Sequence, residues 1–130
     1  MLPLAHRGAW IAGGIMLVAI VLLGSLLPVP VLAQPPGSDK LHHFVAYGTL
    51  ALWFAGMLRP DRQWRIAVGL LLLGALIEIV QGIPMLGRSS DAIDMLANAC
   101  GIGLGLLAAR LGLAGWCMQV ERLLGIRSGG

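Results

Sequence analysis

The chain contains four long apolar runs, and these constrain its fold more than any other feature. The helices predicted from these runs cover residues 10–27, 41–58, 66–81 and 91–113. At a helical rise of about 1.5 Å per residue, such runs can cross a hydrocarbon layer about 30 Å thick. With 58% hydrophobic and 12% charged residues, the chain has too few polar side chains to cover a soluble surface. We therefore predict an all-α integral membrane bundle of four transmembrane helices, forming a single domain over residues 1–130.

Two terminal segments need separate interpretation. Residues 115–125 are predicted to form a short helix along the membrane interface, because Trp116, Val120 and Leu123 share one side of it. The first apolar run has an alternative interpretation as a cleaved secretory signal, since Arg7 precedes it and Ala33 ends a short stretch of small and apolar residues after it. The sequence leaves open whether this first run is retained.

Basic residues are distributed unevenly between the two ends of the predicted bundle. With a cytoplasmic N-terminus, seven of the nine lysines and arginines lie at the cytoplasmic end, and only Lys40 and Arg88 lie at the other end. Lysine and arginine favour the cytoplasmic side of a membrane, so both termini are predicted to be cytoplasmic. The net charge of +3 is therefore explained by the excess of basic residues at the cytoplasmic end. We expect no nucleic-acid partner, because these arginines do not lie together on one helix or strand that could enter a groove of DNA or RNA.

Polar side chains collect at the opposite end of the bundle, which we call the polar end. On the second helix, Asp39, His43 and Tyr47 follow one another at four-residue spacing and share a face, whereas His42 is turned about 100° away. Ionisable residues inside a membrane are functional candidates by default. The structural alternative is that Asp39 caps the helix, Tyr47 anchors it and His43 forms only an interhelical hydrogen bond.

The third helix brings two more polar residues to this end. Glu78 and Gln81 lie three residues apart, about one turn from the end of the run. A carboxylate in this position is costly unless it is paired, protonated or hydrated. An ion pair between Arg88 and Glu78 that fastens the following loop is the structural alternative to a functional role.

The fourth helix carries a polar face that continues into a ridge of small residues. Asp91, Asp94 and Asn98 share this face, although both aspartates also suit the positive N-terminal end of a helix and Asn98 suits an interhelical hydrogen bond. A ridge of small residues allows close helix packing, either within the chain or in a homodimer. Its members are Ala97, Gly101, Gly105 and Ala109.

Together, these residues resemble the motifs of the VanZ-like family of membrane proteins. The matching patterns are DKxxHxxxY over 39–47, ExxQ over 78–81 and GRSxDxxDxxANxxG over 87–101, and the resemblance covers residues 25–105. It implies a bacterial multi-pass protein of the cytoplasmic membrane, in a family named for a member linked to low-level teicoplanin resistance. It implies no biochemical activity and no role of this chain in drug resistance. The motif residues are the expected ligand contacts: Asp39, Lys40, His43, Tyr47, Glu78, Gln81, Arg88, Asp91, Asp94 and Asn98.

Binding of an anionic head group is the function that these residues favour. Lys40, Arg88 and the start of the fourth helix would hold the phosphate of a membrane lipid or of a lipid-linked envelope precursor. A purely structural role is the second hypothesis, in which the polar residues form a buried network that specifies helix assembly.

Hydrolysis of a lipid-linked phosphate is the third hypothesis. The catalytic candidates are His43, Glu78 and Asp94, acting as acid and base, with an optional divalent metal held by Asp94 together with Asp39 and Asp91. The chain has no HExxH motif and no nucleophile paired with a base at a recognisable spacing. We therefore expect no cofactor and no metal, and we rank an enzymatic function below binding.

Overall fold

The computed structural model describes residues 1–26, 38–82 and 91–126. These residues form five α-helices and no strand, so the all-α prediction is confirmed. A 3₁₀ turn, Pro60–Arg62, joins the second and third helices, and a π-helical turn, Ala109–Leu113, extends the fourth. The helices are α1 (Arg7–Leu26), α2 (Ser38–Met57), α3 (Trp64–Gln81), α4 (Ala92–Ala108) and α5 (Trp116–Leu123).

Three of these segments are long and apolar enough to cross a membrane. They are α1, α3 with its preceding turn (Pro60–Gln81), and α4 with its following turn (Ala92–Leu113). The sequence predicted four such helices, and among the described residues α2 is the exception. Its first two turns contain Lys40, His42 and His43, which lower its mean hydropathy.

Helix α2 lies at the centre of the bundle and packs most closely against α4. A side chain at Gly101 would overlap the carbonyl oxygen of Phe44, and a β-carbon at Gly105 would lie 2.5 Å from the carbonyl oxygen of Gly48. The small-residue ridge of α4 thus allows the two backbones to touch. Because this ridge is used inside the chain, it gives no support to a homodimer.

The buried face of α3 explains how polar residues reach the interior. Ile66, Leu70, Gly74 and Ile77 repeat at three- and four-residue spacing and face α2 and α4. Glu78 continues the same stripe and is also buried. The apolar core therefore passes directly into the polar end, without a separate loop to carry the site.

The outer surface of the bundle remains apolar. Ile15, Leu72, Ile79 and Leu111 are each at least 65% exposed, although large apolar side chains of a soluble domain usually turn inward. Apolar surface on this scale marks contact with a membrane or another protein.

The predicted interfacial helix corresponds to α5, which begins after a sharp turn. Gly115 at its N-cap has φ 66°, a left-handed conformation that glycine adopts readily. Leu123 and Leu124 project outward, with 86% and 69% of their surfaces exposed. Trp116 instead turns inward, and its indole N–H donates to the carbonyl oxygen of Leu52 at 3.0 Å.

Candidate functional site at the polar end

Three buried ionisable side chains meet at the polar end, one from each of three helices. His43 of α2, Glu78 of α3 and Asp94 of α4 are 8%, 5% and 6% exposed. Each offers one atom able to bind a metal ion, and these three atoms lie within 4.8 Å of one another. The three catalytic candidates predicted from sequence are therefore brought together, although no covalent or local sequence constraint links them.

Lys40 is engaged by the aspartates around it. Its ammonium nitrogen lies 3.1 Å from Asp39 Oδ2, 2.8 Å from Asp91 Oδ2 and 3.2 Å from Asp94 Oδ1. The hydrogen bond from Lys40 lowers the pKa of the Asp91 carboxyl below its ordinary value, with a further contribution from the backbone N–H of Ile93. Lys40 therefore neutralises carboxylates of the site and presents no free positive charge to an anion.

Asp91 joins the start of α4 to α3. Its side chain accepts a 2.8 Å hydrogen bond from the Ile93 backbone N–H, and its own backbone N–H donates to Glu78 Oε2 at 2.9 Å. Asp91 is thus the N-cap of α4, which agrees with the expectation that it suits the N-terminal end of this helix. The suggested cap of α2 by Asp39 is wrong, because α2 begins at Ser38 and Asp39 lies inside its first turn.

The His43 imidazole is held between two residues of α4. Its Nδ1 lies 3.1 Å from Asn98 Oδ1, and its Nε2 lies 3.7 Å from Asp94 Oδ2. Asn98 Nδ2 points towards the sulfur of Met95 at 4.0 Å, and a thioether can accept but not donate. In this orientation the amide oxygen faces the ring, so Nδ1 is the donor when the two groups form a hydrogen bond.

Tyr47 lies beside this imidazole, completely buried. Its ring stacks on that of His43 with centroids 6.5 Å apart. A β-carbon placed at Gly74 would be 3.3 Å from the Tyr47 hydroxyl oxygen and 2.9 Å from Asn98 Nδ2, so both side chains border Gly74. Within the described ranges, this hydroxyl has no hydrogen-bond partner.

Other residues expected at the site are placed elsewhere. Gln81 is buried, but its amide nitrogen donates to the carbonyl oxygen of Ser25 at 2.7 Å and thereby fastens α3 to the end of α1. His42 faces outward, as its position relative to His43 predicts. Arg88, and with it the predicted Arg88–Glu78 ion pair, lies outside the described residues.

Acidic side chains outnumber basic ones among the described residues of the site. The carboxylates of Asp39, Asp91 and Asp94 surround the ammonium group of Lys40. The Glu78 carboxyl group lies instead beside His43 and Asp94. An excess of carboxyl groups favours cations at this end.

A second polar cluster, at the opposite end, was missed by the sequence reasoning. Glu121 of α5 is 5% exposed and accepts hydrogen bonds from the backbone N–H groups of Ala5 and His6 and from the indole N–H of Trp10, each at 2.9 Å. These bonds, led by that from His6, lower the pKa of the Glu121 carboxyl. The only sequence signal was an acidic residue in a short amphipathic helix, which does not reveal so distant a partner.

Comparisons with models of known protein families, with curated proteins and with solved structures found no match.

Proposed function

We propose that this chain is a multi-pass membrane protein whose polar end binds a positively charged ligand. The convergence of His43, Glu78 and Asp94 from three different helices carries this proposal. Both carboxyl groups and the imidazole are buried, and buried charged groups are usually paired or bind metal ions. Donor atoms that converge in this way suit a cation.

The proposal includes α2 as a fourth membrane-crossing helix. Apart from the exposed Thr49, its polar residues either face the bundle interior, as His43 and Tyr47 do, or lie in its first two turns. Beyond those turns its exposed large side chains, such as Val45, are apolar. Ionisable residues are tolerated within membrane helices when neighbouring helices cover them. The excess of lysine and arginine near the other end supports cytoplasmic termini and an outward-facing site.

A bacterial cytoplasmic membrane is the location that the VanZ-like motifs support. Those motifs supply three of the residues that converge here, in the order DKxxHxxxY, ExxQ and DxxDxxAN. The simplest form of the head-group hypothesis is disfavoured, because Lys40 is already surrounded by three carboxylates. We therefore assign the cation, rather than the phosphate of an envelope lipid, as the directly bound ligand.

Unfolding measurements distinguish a binding site from a purely structural network. Asp94→Asn and Glu78→Gln keep the shape and hydrogen-bonding capacity of each side chain but remove its charge. If the network is structural, breaking it should lower the free energy of unfolding by about 3–5 kcal/mol. If the site is built for a cation, the chelator-treated variants should be at least as stable as the wild type, because repulsion between carboxylates is relieved.

The matched control is Asp61→Asn, which removes an exposed carboxylate at the opposite end. It should leave stability within about 0.5 kcal/mol of the wild type. Adding a cation at 100 times its Kd should stabilise the wild type by about 2.7 kcal/mol and the two site variants by much less. Equal stabilisation of wild type and site variants by every cation tested would contradict the proposal.

A further inference from the structure

We propose that His43, Glu78 and Asp94 bind one divalent transition-metal ion, and that Asn98 is a positioning residue for the imidazole. This inference rests on the proposed cation site and specifies its ligand. The metal would take one ligand from each of α2, α3 and α4. It would thereby join the three helices at the polar end.

The orientation of the His43 ring favours a metal over other cations. Its Nδ1 faces Asn98 Oδ1, and its Nε2 is directed towards the Asp94 carboxylate. Histidines that bind metals characteristically donate their other ring N–H to an outer partner in this way, which fixes the tautomer and the ring orientation.

The distance between the two residues fits a shared ion better than a direct hydrogen bond. An imidazolium would donate to a carboxylate at about 2.7–2.9 Å, and the observed Nε2 to Oδ2 separation is 3.7 Å. Nitrogen and oxygen ligands of zinc lie about 2.0–2.2 Å from the ion in tetrahedral directions, so neighbouring ligand atoms are about 3.3–3.6 Å apart. The 3.7 Å separation of His43 Nε2 and Asp94 Oδ2 is close to this spacing. All three ligand atoms lie within 4.8 Å, so side-chain shifts of at most about 1.5 Å complete the site.

The Tyr47 hydroxyl provides an independent indication of a ligand. Its ring stacks on that of His43, and the buried hydroxyl has no hydrogen-bond partner among the residues that the structure describes. A buried hydroxyl without a partner is costly. Three protein ligands leave at least one coordination position open, as in catalytic zinc sites, and a water molecule bound there would give this hydroxyl a partner.

The donor set indicates which metals are suitable. One imidazole and two carboxylates favour Zn²⁺, Mn²⁺ or Fe²⁺ over Cu⁺, which prefers sulfur ligands. Ca²⁺ takes six to eight oxygen ligands, and three side chains that include an imidazole suit it poorly. We therefore expect Zn²⁺ to bind and Ca²⁺ to bind at least about tenfold more weakly.

Equilibrium dialysis of the full chain in detergent, with metal measured by mass spectrometry, tests this site. The protein should carry an affinity tag without histidine and should first be treated with a chelator. The wild type should bind one Zn²⁺ per chain, and His43→Ala and Asp94→Asn should weaken this binding by more than about 100-fold. Asn98→Leu should weaken it by about 10- to 100-fold, the usual effect of losing an outer partner.

Two controls change the same residue types outside the site. His42→Ala removes the adjacent, outward-facing imidazole, and Asp61→Asn removes an exposed carboxylate at the opposite end. Both should retain one Zn²⁺ with a Kd within about threefold of the wild type. Glu78→Gln, checked for a monodisperse chromatographic profile, provides a third ligand variant if another fails to fold.

The outcomes separate this inference from the proposed function. If the ligand variants bind one Zn²⁺ as tightly as the wild type does, the metal assignment is overturned. The metal assignment also fails if Zn²⁺ does not bind saturably, whereas Na⁺, Ca²⁺ or an organic cation stabilises the wild type but not the Asp94 variant. The proposed cation site would then remain. If no cation binds and the charge-neutral variants unfold, both proposals fail and the polar end is structural.

Discussion

The indole N–H of Trp10 donates to the carboxylate of Glu121, connecting the first helix of the chain to the last. The same carboxylate accepts the backbone N–H groups of Ala5 and His6, which precede α1. A helix N-terminus has free N–H groups and a positive partial charge, so a carboxylate from a distant helix can act as its cap. The Trp10 ring also packs against Trp53 and Trp116, with centroids 5.6 and 5.2 Å away.

Glu121→Gln should therefore lower the unfolding temperature at neutral pH. Glutamine keeps one acceptor oxygen but loses the charge that favours both the helix N-terminus and the three donated hydrogen bonds. Thermal unfolding in detergent, followed by tryptophan fluorescence, measures the change. Asp61→Asn is the control, because Asp61 forms only exposed ion pairs and should contribute little.

The pH dependence of this contribution has a definite sign. The pKa of Glu121 is lowered in the folded chain, so its contribution is complete above the ordinary value of 4.5 and is lost as the pH falls through the folded pKa. Other carboxylates of the chain also lose their charge in acid, so the wild-type curve must be compared with that of Glu121→Gln. The gap between the two unfolding temperatures should narrow as the pH falls below 4.5. A gap that stays constant or widens there would show that Glu121 does not act through its charge.

Gly101→Ala should disrupt the contact between α2 and α4. The added methyl group would overlap the carbonyl oxygen of Phe44, and neither backbone can move without displacing its helix. We expect a loss of about 1–3 kcal/mol or more in the free energy of unfolding. The control is Gly103→Ala on the same helix, where nothing lies within 4 Å, and it should stabilise by about 0.5–1 kcal/mol. Equal effects of the two substitutions would exclude a close contact at Gly101.

Gln63→Met should stabilise the chain. Gln63 precedes α3 and is completely buried, and neither its amide oxygen nor its amide nitrogen has a hydrogen-bond partner among the described residues. An unsatisfied buried polar group costs about 1–3 kcal/mol, and methionine has a similar shape without this cost. Chemical unfolding should show a gain of that size. A loss of stability would indicate that the amide has an ordered partner, such as a water molecule.

Much of the fold follows from hydrophobic patterning, which is a local property. Each of the four apolar runs corresponds to one helix, and the breaks after Leu58 and Gln81 fall close to prolines or glycine. The grouping of His43, Glu78 and Asp94 was also predictable, because their positions place them at the same end of three adjacent helices. Membrane topology and helical spacing together supply this information.

The remaining features depend on three-dimensional contacts that spacing does not encode. Sequence suggested that Lys40 would face a phosphate, but three carboxylates surround it. Gln81 shares a helix face with Glu78, yet it bonds to the end of α1. Glu121 and its backbone partner Ala5 are 116 residues apart, and no local pattern predicts which helix end a carboxylate will reach.

Cysteine labelling in intact cells tests the orientation of the bundle. Ser38→Cys, beside the polar end, should react with a membrane-impermeant maleimide from outside, whereas Asp61→Cys should react only after the membrane is opened. Cys100 is exposed on α4 and must be replaced by alanine. Cys117 can remain, because burial raises the pKa of its thiol to about 12 and keeps it protonated and unreactive at neutral pH. The reverse labelling pattern would show that the topology is inverted and that the proposed cation site lies at the cytoplasmic face.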